Sequence, residues 1–295
     1  MAKALYRKWR PQDWDEVAAQ EHVIQTLKNA VALDRVGHAY LFSGPRGTGK
    51  TTTARLLAKA VNCQDPDRKK RPCNQCEYCL ALNSGRFMDL IEIDAASNTS
   101  VDDVRDLREK INFSPSQGDF KVYIIDEVHM LSNSAFNALL KTIEEPPPYI
   151  IFIFATTEIH KVPATIRSRC QQFNFRLIPM EEIRTMLAGA ADDMGIQADE
   201  DALSWIAREA TGSLRDAYTL FDQVVAFSDR HVKLDVIHAK LGLLGLERLN
   251  SLLEAIVTGS SAEALEIVDA ALQSGVPVER FTIDLADYLR TLLLA

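Results

Sequence analysis

The sequence predicts an α/β fold: a parallel sheet with helices on both faces, followed by a helical remainder. Three observations predict it. Short apolar runs alternate with helical stretches as far as residue 180, the pattern of a parallel sheet sandwiched between helices. Two of the runs, 120–128 and 150–157, are apolar on both faces, as buried parallel strands are. After 173–180 the strand-like runs stop and helical ones continue to the end.

In chain order, "HAYLFSG" (38–44) reads as a strand entering a glycine turn, and "TTTARLLAKAVN" (51–62) as the helix that follows. "MDLIEIDAAS" (88–97) is a second strand. "SVDDVRDLREKINF" (100–113) has helical periodicity, with Thr99 or Ser100 as its N-cap. "FKVYIIDEV" (120–128) is the third strand. "SNSAFNALLKTIEE" (132–145) is a helix stopped by Pro146, Pro147 and Pro148, because proline cannot continue the ladder. "IIFIFATT" (150–157) is a buried strand and "FNFRLIPM" (173–180) the last strand-like run. Residues 181–240 read as several short helices, with Gly195 and Gly212 as turn points. From "HAKLGLLGLERLNSLLEAIV" to "DLADYLRTLLLA" the chain is helical again, and the final apolar stretch is expected to be cut through a helical domain. The expected segments are 1–179, 180–242 and 243–295.

The composition, 47% hydrophobic and 25% charged, is that of an ordinary globular protein. No run of 18 apolar residues exists, so no transmembrane helix is expected. The charged N-terminus lacks a signal-peptide core, which predicts a cytoplasmic protein. Its cysteines are then expected as metal ligands or buried thiols rather than disulfides. A net charge of −8 argues against a non-specific DNA binder. The charge is uneven: residues 180–295 hold 9 Lys+Arg against 20 Asp+Glu, and residues 1–179 hold 24 against 21. Phosphate binding is therefore expected in the first part.

"GPRGTGKT" (44–51) fits G-x-x-x-x-G-K-[ST] and lies between a predicted strand and a predicted helix, the context that the motif requires. In the loop Gly44, Pro45, Arg46, Gly47, Thr48 and Gly49 the glycines let backbone N–H groups curl around phosphate oxygens. The N-terminus of the helix that follows, which includes Thr52 as a further nucleotide-binding candidate, adds positive partial charge. Lys50 would reach the β- and γ-phosphates of a nucleotide, and Thr51 would hold Mg²⁺ through its hydroxyl. In "VYIIDEVHML" (122–131) a buried strand delivers Asp126 to its end, where it can orient the magnesium shell. Glu127 follows and is placed to activate water; a solvated acid at a strand end is the plain alternative. His129 could assist, although a histidine there is more often packed or hydrogen-bonded.

Four of the five cysteines, Cys63, Cys73, Cys76 and Cys79, form C-x9-C-x2-C-x2-C. Four thiolates give a closed tetrahedral Zn²⁺ site, which is structural rather than catalytic. An iron–sulfur centre stays open as an alternative. Cys170 reads as a small buried hydrophobe. The basic run Arg68–Arg71 has no explanation from sequence.

"GPRGTGKT", "IIDEVHML", "FATT" and "IRSRCQ" follow one another in an order that resembles the AAA+ ATPases of the clamp-loader clade. "YRKWRPQDWDEVAAQEHV" resembles the segment that packs over adenine in that clade. "GRFMDLIEIDAAS" and "SAFNALLKTIEEPPP" point further, to the bacterial DNA polymerase III gamma/tau subunits, and the resemblance covers essentially the whole chain. It implies an AAA+ domain with a zinc module at 63–79, a helical lid and part of a helical collar. It implies Thr157 as sensor 1, with Thr156 as its rival, Arg169 as an arginine finger acting in trans, and Arg215 as sensor 2. Tyr6, Arg10, Pro11 and Val17 become candidates for the adenine pocket.

The implied activity is ATP hydrolysis that drives the opening and loading of a sliding clamp onto primed DNA during replication. The implied partners are the other clamp-loader subunits in a hetero-pentamer, the clamp, primer–template DNA and the polymerase III holoenzyme, with no membrane. Ser97, Asn98, Thr99, Ser100, Arg105 and Thr165 are candidates for phosphate contacts, with helix capping equally open at each position. The helix around Ser134–Leu140 is expected to be exposed and to face the clamp. Another AAA+ DNA motor or a non-hydrolysing clamp-loader scaffold are the alternatives. The cysteines argue against the first, and the intact GKT and DE against the second. An incomplete collar predicts weak self-assembly.

Overall fold

The computed structural model describes residues 5–97, 111, 113–228, 230–241, 246–273 and 276–294. The predicted helix over 100–113, apart from 111 and 113, lies outside the described residues, as do Asn98, Thr99, Ser100 and Arg105. The chain divides into two compact units, Met1–Ile183 with Ala210–Thr219, and Arg184–Glu209 with Leu220–Ala295.

The first unit runs α1 (Leu5–Lys8), α2 (Glu21–Ala32), β1 (Ala39–Ser43), α3 (Lys50–Asn62), α4 (Glu77–Asn83), β2 (Leu90–Asp94), β3 (Lys121–Asp126), α5 (Asn133–Glu144), β4 (Ile150–Thr156), α6 (Ala164–Arg167) and β5 (Gln171–Asn174). Its sheet is parallel at every pairing, in the order β2-β3-β4-β1-β5. Successive side chains of a strand face opposite ways, and the two faces of this sheet are both apolar. Leu41, Tyr123, Ile125, Phe152 and Phe154 pack on one side against Phe136, Leu139 and Ile143 of α5. Tyr40, Phe42, Ile124, Ile151 and Ile153 pack on the other side against Leu27 of α2 and Leu56 and Leu57 of α3. Each such side chain contributes about 1.5–3 kcal/mol over leaving it in water. That double burial is why these strands read as continuous apolar runs.

One strand lies elsewhere than expected. The run 173–180 was predicted as strand, but β5 pairs with β1 from Tyr40–Gln171 to Ser43–Asn174. β5 sits at the edge of the sheet, so its solvent-facing Gln171 and Gln172 carry no apolar signal. The apolar residues beyond it serve other ends. Phe175 is buried, and its N–H bonds the Ser43 carbonyl at 2.7 Å.

Past the sheet come α7 (Met180–Met194), α8 (Glu200–Glu209), α9 (Leu214–Phe227), α10 (Leu234–Leu241), α11 (Leu246–Val257), α12 (Ser261–Gln273) and α13 (Val278–Leu294). Two-residue strands β6 (Gln197–Ala198) and β7 (His231–Val232) pair in parallel in the second unit, where sequence predicted helices alone. The strip 210–219, expected in the second segment, packs with the first unit: Gly212 O accepts from Ile178 N at 3.0 Å, and Gly47 O from Leu214 N at 3.2 Å. Among the described residues no helix is long and apolar enough to cross a membrane.

Candidate functional site

β1 ends in the glycine loop, and α3 starts from it at Lys50. Gly44 and Gly47 have φ of +142° and +74°, values that favour glycine. A Cβ on Gly44 would lie 2.3 Å from Phe175 O, and one on Gly47 would lie 1.9 Å from Ser213 Oγ. Thr48 Oγ1 ties the loop by donating to Pro45 O at 2.8 Å. The Lys50 ammonium folds into the loop, donating to Gly44 O at 2.8 Å and Pro45 O at 2.7 Å. Burial pulls its pKa down, partly offset by Glu127 and Asp126.

β3 delivers the acids. Asp126 closes the strand, and its Oδ2 accepts from Thr51 Oγ1 at 2.8 Å. That separation suits neighbouring ligands of an octahedral magnesium, about 2.9 Å apart for Mg–O bonds of about 2.05 Å. Glu127 leaves the strand in a left-handed conformation, φ 46°. β4 lies between the strand of the loop and the strand of the acids, and the residues at its end separate two roles. Thr157 donates to Glu127 Oε2 through its N–H at 3.3 Å and its hydroxyl at 3.0 Å. Thr156 is buried and turned to His129 Nδ1 at 3.0 Å. His129 in turn lies 3.4 Å from Glu127 and 3.3 Å from Glu158.

The loop and the two acids open on one cleft of about 310 Å³, whose lining does not include Gly44, Pro45, His129, Thr156 or Thr157. The loop residues Arg46 to Thr52, with Asp126 and Glu127, line one part, and Tyr6, Arg10, Pro11 and Val17 line another. Arg215 enters the same cleft and lies 5.0 Å over the Tyr6 ring. Trp9, Arg55, Glu92 and Tyr218 also line it and were missed by sequence reasoning. Arg55 and Glu92 form an ion pair between α3 and β2, and only the tertiary pairing reveals it. Arg169 is not among the cleft residues. It is exposed, bonded to Thr165 O at 2.7 Å and paired with Glu144 at 2.5 Å.

The four cysteines come together, with all sulfurs within 4.8 Å of one another. A tetrahedral ion with metal–sulfur bonds of about 2.3 Å needs separations of about 3.8 Å, so the set fits one. The Cys73 N–H points at Cys63 Sγ and the Cys76 N–H at Cys73 Sγ, both at 3.3 Å. Burial pushes the Cys63 and Cys79 thiols up. At Cys76 burial works the same way, but N–H groups of Gln64 and Cys79 and the neighbouring thiols bring it down to about 7. Cys170, packed against the core, is raised by burial to about 12. The basic run acquires partners: Arg68 pairs with Asp34, Lys70 lies 3.8 Å from Asp67, and Arg71 Nε donates to Asp65 O at 2.7 Å.

Of the candidate phosphate contacts among the described residues, Ser97 Oγ donates to Asp94 at 3.1 Å and Thr165 O accepts from Arg169. The stretch Ser134–Leu140 was expected to be exposed, but only part of it is: Ala135, Phe136 and Leu139 are core residues, because α5 covers the sheet.

The sheet order, the glycine loop after β1 and the acidic pair after β3 define the class, an α/β protein of the AAA+ type. On fold alone, the Thermotoga maritima RuvB Holliday junction branch migration motor matches with a TM-score of 0.59 at 19% identity, covering 94% of this chain and 91% of its own. Three family models match in succession. They are DNA polymerase III, delta subunit, over 19–179; DNA polymerase III clamp loader subunit, ATPase lid domain, over 182–230; and DNA polymerase III subunits gamma and tau domain III, over 232–295. The DNA polymerase III subunit tau of Bacillus subtilis is 46% identical over 99% of this chain and 52% of that protein. The DNA polymerase III subunit gamma of Buchnera aphidicola is 41% identical over 97% of this chain and 79% of that protein. The chain belongs to the gamma/tau family of DNA polymerase III subunits. It spans about half the length of the curated tau relatives it matches.

Proposed function

We propose that this chain is the ATP-hydrolysing subunit of a bacterial DNA polymerase III clamp loader, working in the cytoplasm. ATP binding in the cleft would organise the loader to open a sliding clamp, and contact with primer–template DNA would trigger hydrolysis and release. The observation that carries this reading is the contact between Thr51 and Asp126 at 2.8 Å beside the phosphate loop, with Glu127 next in the chain. Thr51 and Asp126 would hold a magnesium ion, which when bound would supply charge neutralisation to the phosphates.

The chain's own groups do the rest. Lys50 and the loop N–H groups hold the phosphates. Glu127 takes the proton of the attacking water, and Thr157 orients it through the two bonds to Oε2. Arg215, which lines the cleft, would report the phosphates to the lid. Arg169, exposed and outside the cleft, serves as the arginine finger for a neighbouring subunit's ATP, which makes turnover depend on assembly. Tyr6, Arg10, Pro11 and Val17 wall the adenine. Cys63, Cys73, Cys76 and Cys79 would hold a zinc whose role, with four thiolate ligands, is structural.

The test is steady-state ATPase of the assembled loader, with and without clamp and primed DNA. Turnover is expected to rise with both, and Glu127→Gln is expected to lower it by roughly 10²–10⁴-fold, the usual worth of a general base. Turnover surviving Glu127→Gln unharmed would remove the base assignment. No stimulation by clamp and DNA would remove the clamp-loader reading.

A further inference from the structure

Lys59 lies on α3, only 3% exposed, and the nucleotide chemistry makes no use of it. Its ammonium joins three segments. It donates to Gln12 O at 2.6 Å, to Asn74 Oδ1 at 2.6 Å and to Asn83 Oδ1 at 2.9 Å, with Gln12 Oε1 at 3.4 Å. All of these acceptors are neutral, an expensive setting for a buried charge. Burial pulls its pKa down, and Asp13 and Glu16, with Cys79 and Cys63 once they are ionised, pull it back up. Four thiolates around a divalent ion carry a net charge of about −2, which complements the ammonium.

Both ends of this junction lead somewhere definite. Asn74 lies between Cys73 and Cys76 in a left-handed conformation, φ 56°, so the loop of prospective ligands sets its position. Gln12 follows Arg10 and Pro11, which line the nucleotide cleft, and Gln12 Nε2 donates to Arg10 O at 3.1 Å. Two more bonds run alongside. Trp14 Nε1 donates to Arg71 O at 3.0 Å, and Asn74 Nδ2 to Asp13 Oδ2 at 3.4 Å. The segment that walls the cleft therefore rests on the cysteine module, with Lys59 at the joint.

We infer that Lys59 is a positioning residue that couples metal loading of the cysteine module to nucleotide binding, by holding the N-terminal wall of the cleft onto that module. The inference rests on the reading of the cleft as an ATP site. Coupling of this kind is reciprocal: metal strengthens nucleotide binding, and nucleotide strengthens metal retention by the same factor.

The experiment uses the whole chain loaded with zinc and two titrations. One measures the affinity of a fluorescent ATP analogue with Mg²⁺, before and after zinc removal. The other measures zinc loss to a chromophoric chelator, with and without saturating ADP. Zinc removal is expected to weaken nucleotide binding by about tenfold, inside the 5–150-fold range of coupled sites, and ADP to improve zinc retention by the same factor. In Lys59→Met both factors fall towards one while the chain still takes up one zinc. Asn74→Gly keeps the left-handed backbone and deletes the acceptor. It gives the same loss of coupling, and it decides the matter if Lys59→Met does not fold. Nucleotide affinity that is normal and indifferent to zinc overturns the coupling alone. Coupling undiminished in Asn74→Gly overturns the role of Lys59. Zinc-loaded wild-type chain that binds no nucleotide overturns the ATP-site reading and this inference together.

Discussion

Asp89 is 1% exposed, and its carboxylate accepts from Ser116 N at 2.8 Å, Ser116 Oγ at 3.2 Å, Gln117 N at 2.7 Å and Gly118 N at 2.9 Å. Burial alone would raise its pKa, but these donors overcome burial and hold it below its ordinary 3.8. A depressed folded pKa stabilises fully above the unfolded value, and that stability is lost as pH falls through the folded one. Asp89→Asn is expected to cost about 1.5–3 kcal/mol at pH 7, with the gap to wild type closing below about pH 4; urea unfolding across pH 2–7 measures it. Nothing in the sequence marks Asp89, because its donors come from a loop some 30 residues away. Asp126 and Glu127 were legible, since four apolar residues before them announce a buried strand end. Thr157 was preferred to Thr156 from resemblance alone, because adjacent threonines at a strand end carry no mark of which way each one turns. Only the structure turns one to His129 and the other to Glu127.

Among elements, the central strands were legible because burial on both faces leaves only apolar residues. β5 was misplaced because an edge strand can be polar. β6 and β7, two residues each, are too short to carry a period. α5 was legible at both ends: Ser132 Oγ accepts from Ala135 N at 3.2 Å, and the prolines follow. Ser132→Ala is expected to cost about 1 kcal/mol, read as a shift of the thermal midpoint with the fold otherwise intact. α3 ends at Asn62, whose Oδ1 accepts from Phe120 N at 2.9 Å. One helix thus joins the phosphate loop, the cysteine module and the start of β3.

For the whole molecule, the alternation of runs foretold the sheet, and the part with the more positive charge is the one that carries the glycine loop. The assignment of 210–219 was not foretold, because a short strip carries no mark of the unit it joins. Metal removal should act locally. Chelation is expected to speed amide exchange in residues 12–14 and 59–84 and to leave α11 and α12 of the second unit unchanged, as hydrogen-exchange mass spectrometry would read. Equal acceleration in α11 and α12 would count against a local staple. The discontinuity of the first unit also has a consequence for how the protein is made. The sheet, the loop and the acids are all in hand once Ile183 has left the ribosome, but Arg215 and Tyr218 belong to a strip that ends at Thr219, 36 residues later. At about 5–20 residues per second, those 36 residues take a few seconds to follow, and until they do the cleft lacks Arg215 and Tyr218.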